Sequence, residues 1–370
     1  MIYLDNAATT KPKQIVIQTI FDTMTYMWYN PSAAYKPSVK VRQFVDESRK
    51  VIANSIGADQ SEIYFTSGGS ESNSWALQGF MKVFPTSRVA ISNIEHNSIM
   101  SCAKDITEPI IINVNNGGMI DLEQLENSLK KYSFSDNPML VSIQYVNNEL
   151  GVIQNIRQIS EIVHKYNAYL HTDAVQAYPH LSINVAELGI DMMSVSGHKF
   201  GCPKGIGFLY IKSDIKIAPI IYGSQERSMR GGTENVPYIA GIATASSLIQ
   251  TNNSKTKELR ELLESKLELI GARINCKNSN RIDNIISCTL PKHSAVGELI
   301  MYLLSFKQII VSTGSACNSH RNEPSAVLRN IGLSDDDILR TIRISLPENA
   351  EELKKYEIDK FIENLQQAIC

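Results

Sequence analysis

The sequence predicts an α/β protein with an open, mainly parallel β-sheet covered by helices on both faces, followed by a smaller α+β domain. Short apolar, β-branched runs alternate with segments of helical periodicity over the first two thirds of the chain, and this alternation is typical of such sheets. The 370 residues are enough for two domains. Apolar residues make up 43% and charged residues 20%, which indicates a globular protein. Ligands of these sheets bind beyond the carboxyl ends of the strands.

The predicted elements follow one another in a regular order. Apolar runs predict strands at 62–66, 88–92, 139–143, 168–172 and 206–210, with helices at 71–84 and 156–166. A polar stretch at 250–256 precedes an amphipathic helix whose apolar stripe is formed by Leu259, Leu262, Leu263 and Leu267. We therefore predict a large domain over 14–249 and a small domain formed by 1–13 and 250–370, ending in a helix at 350–368.

Charge and composition exclude several classes of function. Lys and Arg number 36 against 38 Asp and Glu, a net charge of −2, so no direct nucleic-acid partner is expected. No apolar run reaches the roughly 18–20 residues of a membrane-spanning helix, so no membrane partner is expected. The six cysteines form no CxxC pair, and the start, Met1–Asp5, lacks a signal-peptide pattern. We expect a cytoplasmic protein with reduced thiols and no metal site.

The motif Ser196-Gly197-His198-Lys199 follows an apolar run and is a candidate reactive site. A partly buried lysine at the end of a strand can form a Schiff base, because burial lowers its pKa and favours the neutral amine. Glycine lets the backbone approach a ligand closely. A surface turn with a solvated lysine is the alternative interpretation.

Two further motifs follow predicted strands. Thr66-Ser67-Gly68-Gly69-Ser70 opens a helix, where free N–H groups can hold a phosphate; the alternative is an ordinary strand-to-helix turn. Asp173, in His171-Thr172-Asp173, could hold a protonated ring nitrogen, although aspartate also caps helices.

Three more residues are candidates on chemical grounds. His96 can stack on a ring and move protons, or be an ordinary packed histidine. Cys317 lies in a turn-rich run of small residues and can react if it is exposed, or be an incidental thiol. Arg343 stands within an apolar run and can bind a carboxylate, or form a structural salt bridge.

Taken together and in their order along the chain, these residues resemble a cysteine desulfurase of the NifS/IscS type, in the fold-type I, class V aminotransferase group. The resemblance runs from Tyr3-Leu4-Asp5-Asn6-Ala7-Ala8 to Arg343 and includes Asn30-Pro31-Ser32, Asn147-Asn148-Glu149 and Arg230-Gly231-Gly232-Thr233. It implies a mainly parallel seven-stranded sheet in the large domain and pyridoxal 5′-phosphate (PLP) as the cofactor.

The resemblance also implies how the chain would hold the ring of PLP. The cofactor would be joined covalently to Lys199, with Asp173 paired to the pyridine nitrogen and His96 stacked on the ring. Gln176 and Asn148 would contact the ring hydroxyl or the substrate.

The remaining implied roles concern the phosphate and the substrate. Within one chain, the phosphate would be held by Gly69, Ser70, Ser196 and His198. Thr233 would reach the phosphate of the other subunit of a homodimer, and Arg343 with Asn30 would bind the substrate carboxylate.

The implied reaction converts L-cysteine to L-alanine and leaves the sulfur on Cys317 as a persulfide, which an acceptor protein then takes. The acceptor would serve iron–sulfur cluster assembly or the thiolation of tRNA or DNA, including DNA phosphorothioation. The end at Cys370 lacks the tail with which housekeeping members bind the iron–sulfur scaffold, which favours the thiolation systems. The alternatives are a related PLP lyase, acting on selenocysteine or a C–S bond, and a non-catalytic PLP-binding scaffold.

Three departures from the family pattern bear on the site. Gly69-Ser70 stands in the phosphate cup where Ala-Thr is commoner, which is a mild change. Pro347-Glu348-Asn349-Ala350 replaces the usual Gly-Arg-x-Thr after the strand that carries Arg343. Cys202 stands where glycine is usual, and it is either a second reactive thiol or, as we expect, a closely packed residue.

Overall fold

A computed structural model confirms the predicted α/β fold and describes residues 1–134, 136–251, 254–313, 324–348 and 353–369. The strands in these residues are β1 Ile2–Tyr3, β2 Ile63–Thr66, β3 Val89–Ser92, β4 Ile110–Ile112, β5 Leu140–Ser142, β6 Tyr169–Asp173, β7 Met192–Ser196, β8 Gly207–Ile211, β9 Arg273–Ile274, β10 Ile285–Thr289, β11 Ile309–Ile310 and β12 Thr341–Ser345. The five strands predicted from apolar runs correspond to β2, β3, β5, β6 and β8, each displaced by at most one residue at either end.

The largest sheet has seven strands in the order β2-β8-β7-β6-β5-β3-β4. Only β8 runs antiparallel to its neighbours, β2 and β7; the other pairs in this sheet are parallel. Val141 and Leu170 lie opposite each other and are fully buried, because helices cover both faces of the sheet. The neighbouring strands β6 and β7 end at Asp173 and Ser196, so these two residues reach the same edge.

Some helices cover this sheet and others belong to the C-terminal part of the chain. They are α1 Gln14–Tyr26, α2 Lys36–Ser55, α3 Gly69–Val83, α4 Asn97–Ile106, α5 Leu122–Tyr132, α6 Ile156–Lys165, α7 Val185–Leu188, α8 Gln225–Ser228, α9 Val236–Ser247, α10 Ser254–Leu269, α11 Gly297–Phe306, α12 Ala326–Asn330, α13 Asp335–Leu339 and α14 Lys355–Ile369. Trp75 of α3 and Ile99 of α4 share one apolar cluster with the sheet. Ile159 of α6 and Ile242 of α9 belong to another.

Two smaller sheets bring the N-terminal segment to the C-terminal part of the chain. β1 pairs in parallel with β11, and the antiparallel sheet β12-β10-β9 lies next to them. Ile2 and Leu4 share a third apolar cluster with Leu267 of α10 and Phe361 of α14. The boundaries predicted for the two domains remain a prediction.

The structure corrects the predicted start of the final helix. The final helix begins at Lys355 rather than at 350, and residues 349–352 lie outside the described part of the chain. Residues 314–323, which contain Cys317 and lie outside the described part of the chain, are called the Cys317 segment below. The next helix begins at Ala326, because the hydroxyl of Ser325 accepts the N–H of Leu328 and caps this helix. Among the described residues, no helix is long and apolar enough to cross a membrane.

Candidate active site

A cavity of about 430 Å³ opens at the carboxyl ends of β6 and β7, where the fold class predicts a ligand. The predicted site residues that line it are Gly69, Ser70, His96, Asn148, Asp173, Gln176, Ser196, His198, Lys199 and Arg343. Asn30 and Thr233 are exposed and do not line this cavity. Cys317 lies outside the described residues.

Lys199 reaches the cavity because a short 3-10 turn, Gly197–Lys199, follows β7. Its Nζ donates hydrogen bonds to the carbonyl oxygens of Ala7, at 2.7 Å, and Ala8, at 2.9 Å. Gln176 Nε2 donates to the same Ala7 oxygen at 2.8 Å. The N-terminal segment therefore fixes both the amine and the amide, although it is some 190 residues from Lys199 in the sequence.

Asp173 stands at the end of β6 with only 2% of its surface exposed. Its Oδ1 accepts the N–H of Val175 at 2.9 Å, and its Oδ2 accepts from Asn73 Nδ2 at 2.8 Å. Asn73 Nδ2 also donates to Ser98 Oγ at 2.9 Å. Two donors thus hold a buried carboxylate at the wall of the cavity, and a carboxylate can pair with a cationic group.

His96 caps α4 through its ring, whose Nδ1 accepts the N–H of Ser98 at 3.1 Å. A backbone N–H can only donate, so the neutral imidazole carries its proton on Nε2. Asn73 and Ser98 together connect this histidine to Asp173.

The N-terminus of α3 forms a cup for an anion. Gly68 has a φ of +149° and provides no side-chain cap, so the first N–H groups of the helix remain available. A Cβ on Gly69 would lie 2.7 Å from Val175 Cγ2, so an added methyl group would require this side chain to shift. Beside the cup, burial lowers the pKa of His198 to about 4, helped by the charges of Lys199 and Lys204.

Arg343 is nearly buried and already paired. Its Nη2 donates to Asp5 Oδ1 at 2.8 Å and its Nη1 to the carbonyl oxygen of Asn148 at 2.9 Å. Its Nε has no hydrogen-bond partner among the described residues. After this strand the sequence departs from the family pattern, and Glu348 of that segment forms an ion pair with Lys13 at 3.0 Å.

Sequence reasoning gave no role to seven polar residues of the cavity, namely Asn73, Asn93, Glu95, Asn97, Ser98, Gln144 and Glu149. Burial raises the pKa of Glu95 to about 8, and the charge of Asp173 adds to this effect. Burial likewise raises the pKa of Glu149 to about 7. In the sequence, these two glutamates could be found only as neighbours of predicted site residues, because Glu95 precedes His96 and Glu149 follows Asn148.

These groups fit PLP. An anion cup, a buried carboxylate and a primary amine open onto one cavity, matching the phosphate, the ring nitrogen and the aldehyde of the cofactor.

Comparison with known proteins supports this assignment. A model of the family "Aminotransferase class-V" matches residues 2–359. Cysteine desulfurase IscS of Methanosarcina thermophila is 38% identical, over 93% of this chain and 87% of its own. The NifS-like protein of Rickettsia africae ESF-5 has a TM-score of 0.90 at 35% identity, covering 100% of this chain and 99% of its own. A structure described as SspA in complex with cysteine has a TM-score of 0.83 at 31% identity, covering 94% and 99%.

The resemblance inferred from the motifs is confirmed by these matches over nearly the full length of the chain. The expected cofactor is confirmed with it. The chain belongs to the class-V aminotransferase family, whose members depend on PLP.

Proposed function

We propose that this chain is a PLP-dependent cysteine desulfurase that converts L-cysteine to L-alanine, takes the sulfur on Cys317 and passes it to an acceptor protein. The observation that carries the proposal is that Lys199 Nζ and the Asp173 carboxylate line one cavity together with α12. Cys317 precedes the first residue of this helix by nine positions in the sequence. Relatives named cysteine desulfurase support the same activity.

The cavity residues divide the binding of cofactor and substrate between them. Bound PLP supplies an electron sink that allows the substrate α-carbon to lose a proton. Lys199 would attach the cofactor covalently, Asp173 would pair with its ring nitrogen, and His96 would lie against its ring. The phosphate is assigned to Gly69, Ser70, Ser196 and His198, the ring hydroxyl or the substrate to Gln176 and Asn148, and the substrate carboxylate to Arg343. Asn30, which does not line this cavity, stays a prediction for the same carboxylate.

Proton and sulfur transfer use different residues of the chain. The Lys199 amine accepts the proton of the substrate α-carbon and returns it later. The Cys317 thiolate forms a bond to the substrate sulfur, and the Cβ–S bond breaks with its electron pair left on carbon. Protonation of that carbon gives alanine, so the substrate and one thiol yield alanine and one persulfide with no added oxidant.

We also propose a homodimeric, cytoplasmic enzyme with the domain division predicted above. Thr233 is exposed and outside its own chain's cavity, which suits contact with the cofactor phosphate of a second copy. The described cysteines Cys102, Cys202, Cys276 and Cys288 are all free thiols, as is usual in a reducing compartment. The acceptor serves iron–sulfur assembly or nucleic-acid thiolation.

The test is turnover of L-cysteine with a thiol reductant by the wild type and by Cys317→Ala. We expect the wild type to form alanine and sulfide, and the variant to keep its cofactor absorbance and its substrate-induced spectral change but to form no persulfide. Cys276→Ala, which removes a partly exposed thiol, is the control and should behave as wild type. Full alanine and sulfide production by Cys317→Ala would indicate a lyase, and no turnover by the wild type would indicate a scaffold.

A further inference from the structure

The described residues on both sides of the Cys317 segment form hydrogen bonds with residues that line the cavity. Before the segment, Ser312 exchanges two backbone hydrogen bonds with Arg343, with N···O distances of 3.1 and 2.6 Å. After the segment, Ser325 Oγ donates to Glu149 Oε2 at 2.6 Å. Arg343 and Glu149 both line the cavity.

Glu149 and Ser325 form a buried pair between distant parts of the sequence. Glu149 is 8% exposed and Ser325 is 3% exposed, and they are 176 residues apart. The Ser325 hydroxyl accepts the N–H of Leu328 as the cap of α12, so it uses its own proton for Glu149. A carboxylate is costly to bury without such a donor, so this contact fixes both side chains.

The two residues next to Glu149 in the sequence contact α12 and Arg343. The side chains of Leu150, Val327 and Leu328 belong to one apolar cluster, so the residue after Glu149 packs against α12. On the other side of Glu149, the Asn148 carbonyl oxygen accepts from Arg343 Nη1. The start of α12 is thereby fixed relative to the residue assigned to the substrate carboxylate.

We propose that Glu149 is a positioning residue for sulfur transfer, which acts by holding Ser325 and thereby the start of α12 at the edge of the cavity. This inference rests on the proposed desulfurase function. Cys317 precedes Ser325 by eight residues, so the position of Ser325 limits where the thiol can reach. Attack requires the reacting atoms at roughly 3–3.5 Å, and small displacements are costly to the rate.

The experiment compares Glu149→Ala, Glu149→Gln, Ser325→Ala and the double variant Glu149→Ala/Ser325→Ala with the wild-type holoenzyme. Single-turnover formation of the Cys317 persulfide is followed by alkylation and mass spectrometry, alongside cofactor absorbance and the spectral titration with L-cysteine. The matched control is Ser334→Ala, which removes the corresponding cap of α13 from a serine that does not line the cavity.

We expect Ser325→Ala and Glu149→Ala to slow persulfide formation by about tenfold or more, as when a buried polar group loses its hydrogen-bond partner. Cofactor absorbance and the L-cysteine titration should stay unchanged. The double variant should be no slower than the slower single variant, because the two residues act through one contact. Glu149→Gln retains an acceptor oxygen and should recover part of the rate, and Ser334→Ala should match wild type.

Three results would overturn the positioning role. If the wild type forms persulfide and both alanine variants form it as fast as Ser334→Ala, the role is wrong while the proposed function stands. If the variants lose cofactor or substrate binding together with the rate, Glu149 merely supports the fold. If the wild type forms no persulfide on Cys317, the proposed function fails and the positioning role fails with it. Ser325→Ala and Glu149→Gln keep the test decisive should Glu149→Ala not fold.

Discussion

At the scale of single residues, burial decides which thiols can react. Burial raises the pKa of Cys202 and Cys288 to about 12, and that of Cys276 to about 11. Since the thiolate is the nucleophile, these cysteines are poor acceptors of sulfur at neutral pH. The structure thus favours the packing interpretation of Cys202, which is fully buried against the turn that carries Lys199, over a second reactive thiol.

The covalent role of Lys199 is tested by Lys199→Ala. Borohydride reduction of the wild type should fix the cofactor to the peptide that contains Lys199, because only a neutral amine in the cavity can form the linkage. The variant should show no covalent label by mass spectrometry. Lys204→Ala, which removes a nearby exposed lysine, should label as wild type. A label on any other lysine of the wild type would contradict the assignment.

At the scale of elements, strand ends and helix starts build the site. β6 and β7 deliver Asp173 and the turn with Lys199 to one edge, and α3 begins beside them at Gly69. The close fit of Gly69 against Val175 makes this helix start sensitive to a single added methyl group.

Gly69→Ala should therefore weaken cofactor binding. The added Cβ would lie 2.7 Å from Val175 Cγ2, and overpacking of this kind typically costs about 1–3 kcal/mol. Equilibrium binding of PLP, followed by absorbance, measures the effect. Gly69→Ala/Val175→Ala removes the clash and should regain affinity. Equal affinity of Gly69→Ala and wild type would show that Val175 shifts to admit the added methyl group, and would contradict the prediction.

A second prediction at this scale concerns the hydrogen bond between His164 of α6 and Asp191, the residue before β7. His164 Nε2 lies 2.8 Å from Asp191 Oδ2, and this hydrogen bond raises the pKa of His164 above its usual 6.5. Because the pKa is raised in the folded state, the stabilisation is complete below pH 6.5 and is lost as pH rises through the raised pKa. The effect is small because the imidazole is partly exposed.

The measurement is the free energy of unfolding of wild type and His164→Gln at about pH 5.5 and about pH 8.5. The advantage of the wild type should be larger at the lower pH. His293→Gln, at an exposed histidine, serves as the control and should show no such trend. A wild-type advantage that grows with pH would have the wrong sign and would refute the prediction.

At the scale of the whole molecule, the site depends on segments that meet only in the folded chain. The Ala7 carbonyl oxygen holds Lys199 and Gln176, and Asp5 holds Arg343 at a separation of 338 residues. The N-terminal segment thus joins the large sheet to the part of the chain that carries β12.

The proposed homodimer is tested by complementation. Lys199→Ala and Thr233→Glu are each expected to be inactive, the second through repulsion of the phosphate in the other subunit. When the two variants are co-expressed in equal amounts, about half of the dimers contain one copy of each. Such a dimer has one site with both Lys199 and the other subunit's Thr233 unchanged, so total activity should be about a quarter of wild type. Isolated mixed dimers without activity would contradict a role for Thr233 across subunits, and a monomer by sedimentation would contradict the dimer itself.

Local patterns in the sequence determined five strands of the large sheet, the turn with Lys199 and the strand-end position of Asp173. Such features follow from periodicity and from residues within a few positions of one another. The order of motifs along the chain then identified the family and its cofactor, which the comparisons confirm.

Only the tertiary structure decided which polar groups meet around those motifs. The Asn73–Asp173, Glu149–Ser325 and Asp5–Arg343 contacts join residues from 100 to 338 positions apart. The sequence around each partner has no local feature that selects the other, because the pairing follows from strand order and helix packing. The buried state of Glu95 and Glu149 has the same origin, since burial is a property of the assembled fold.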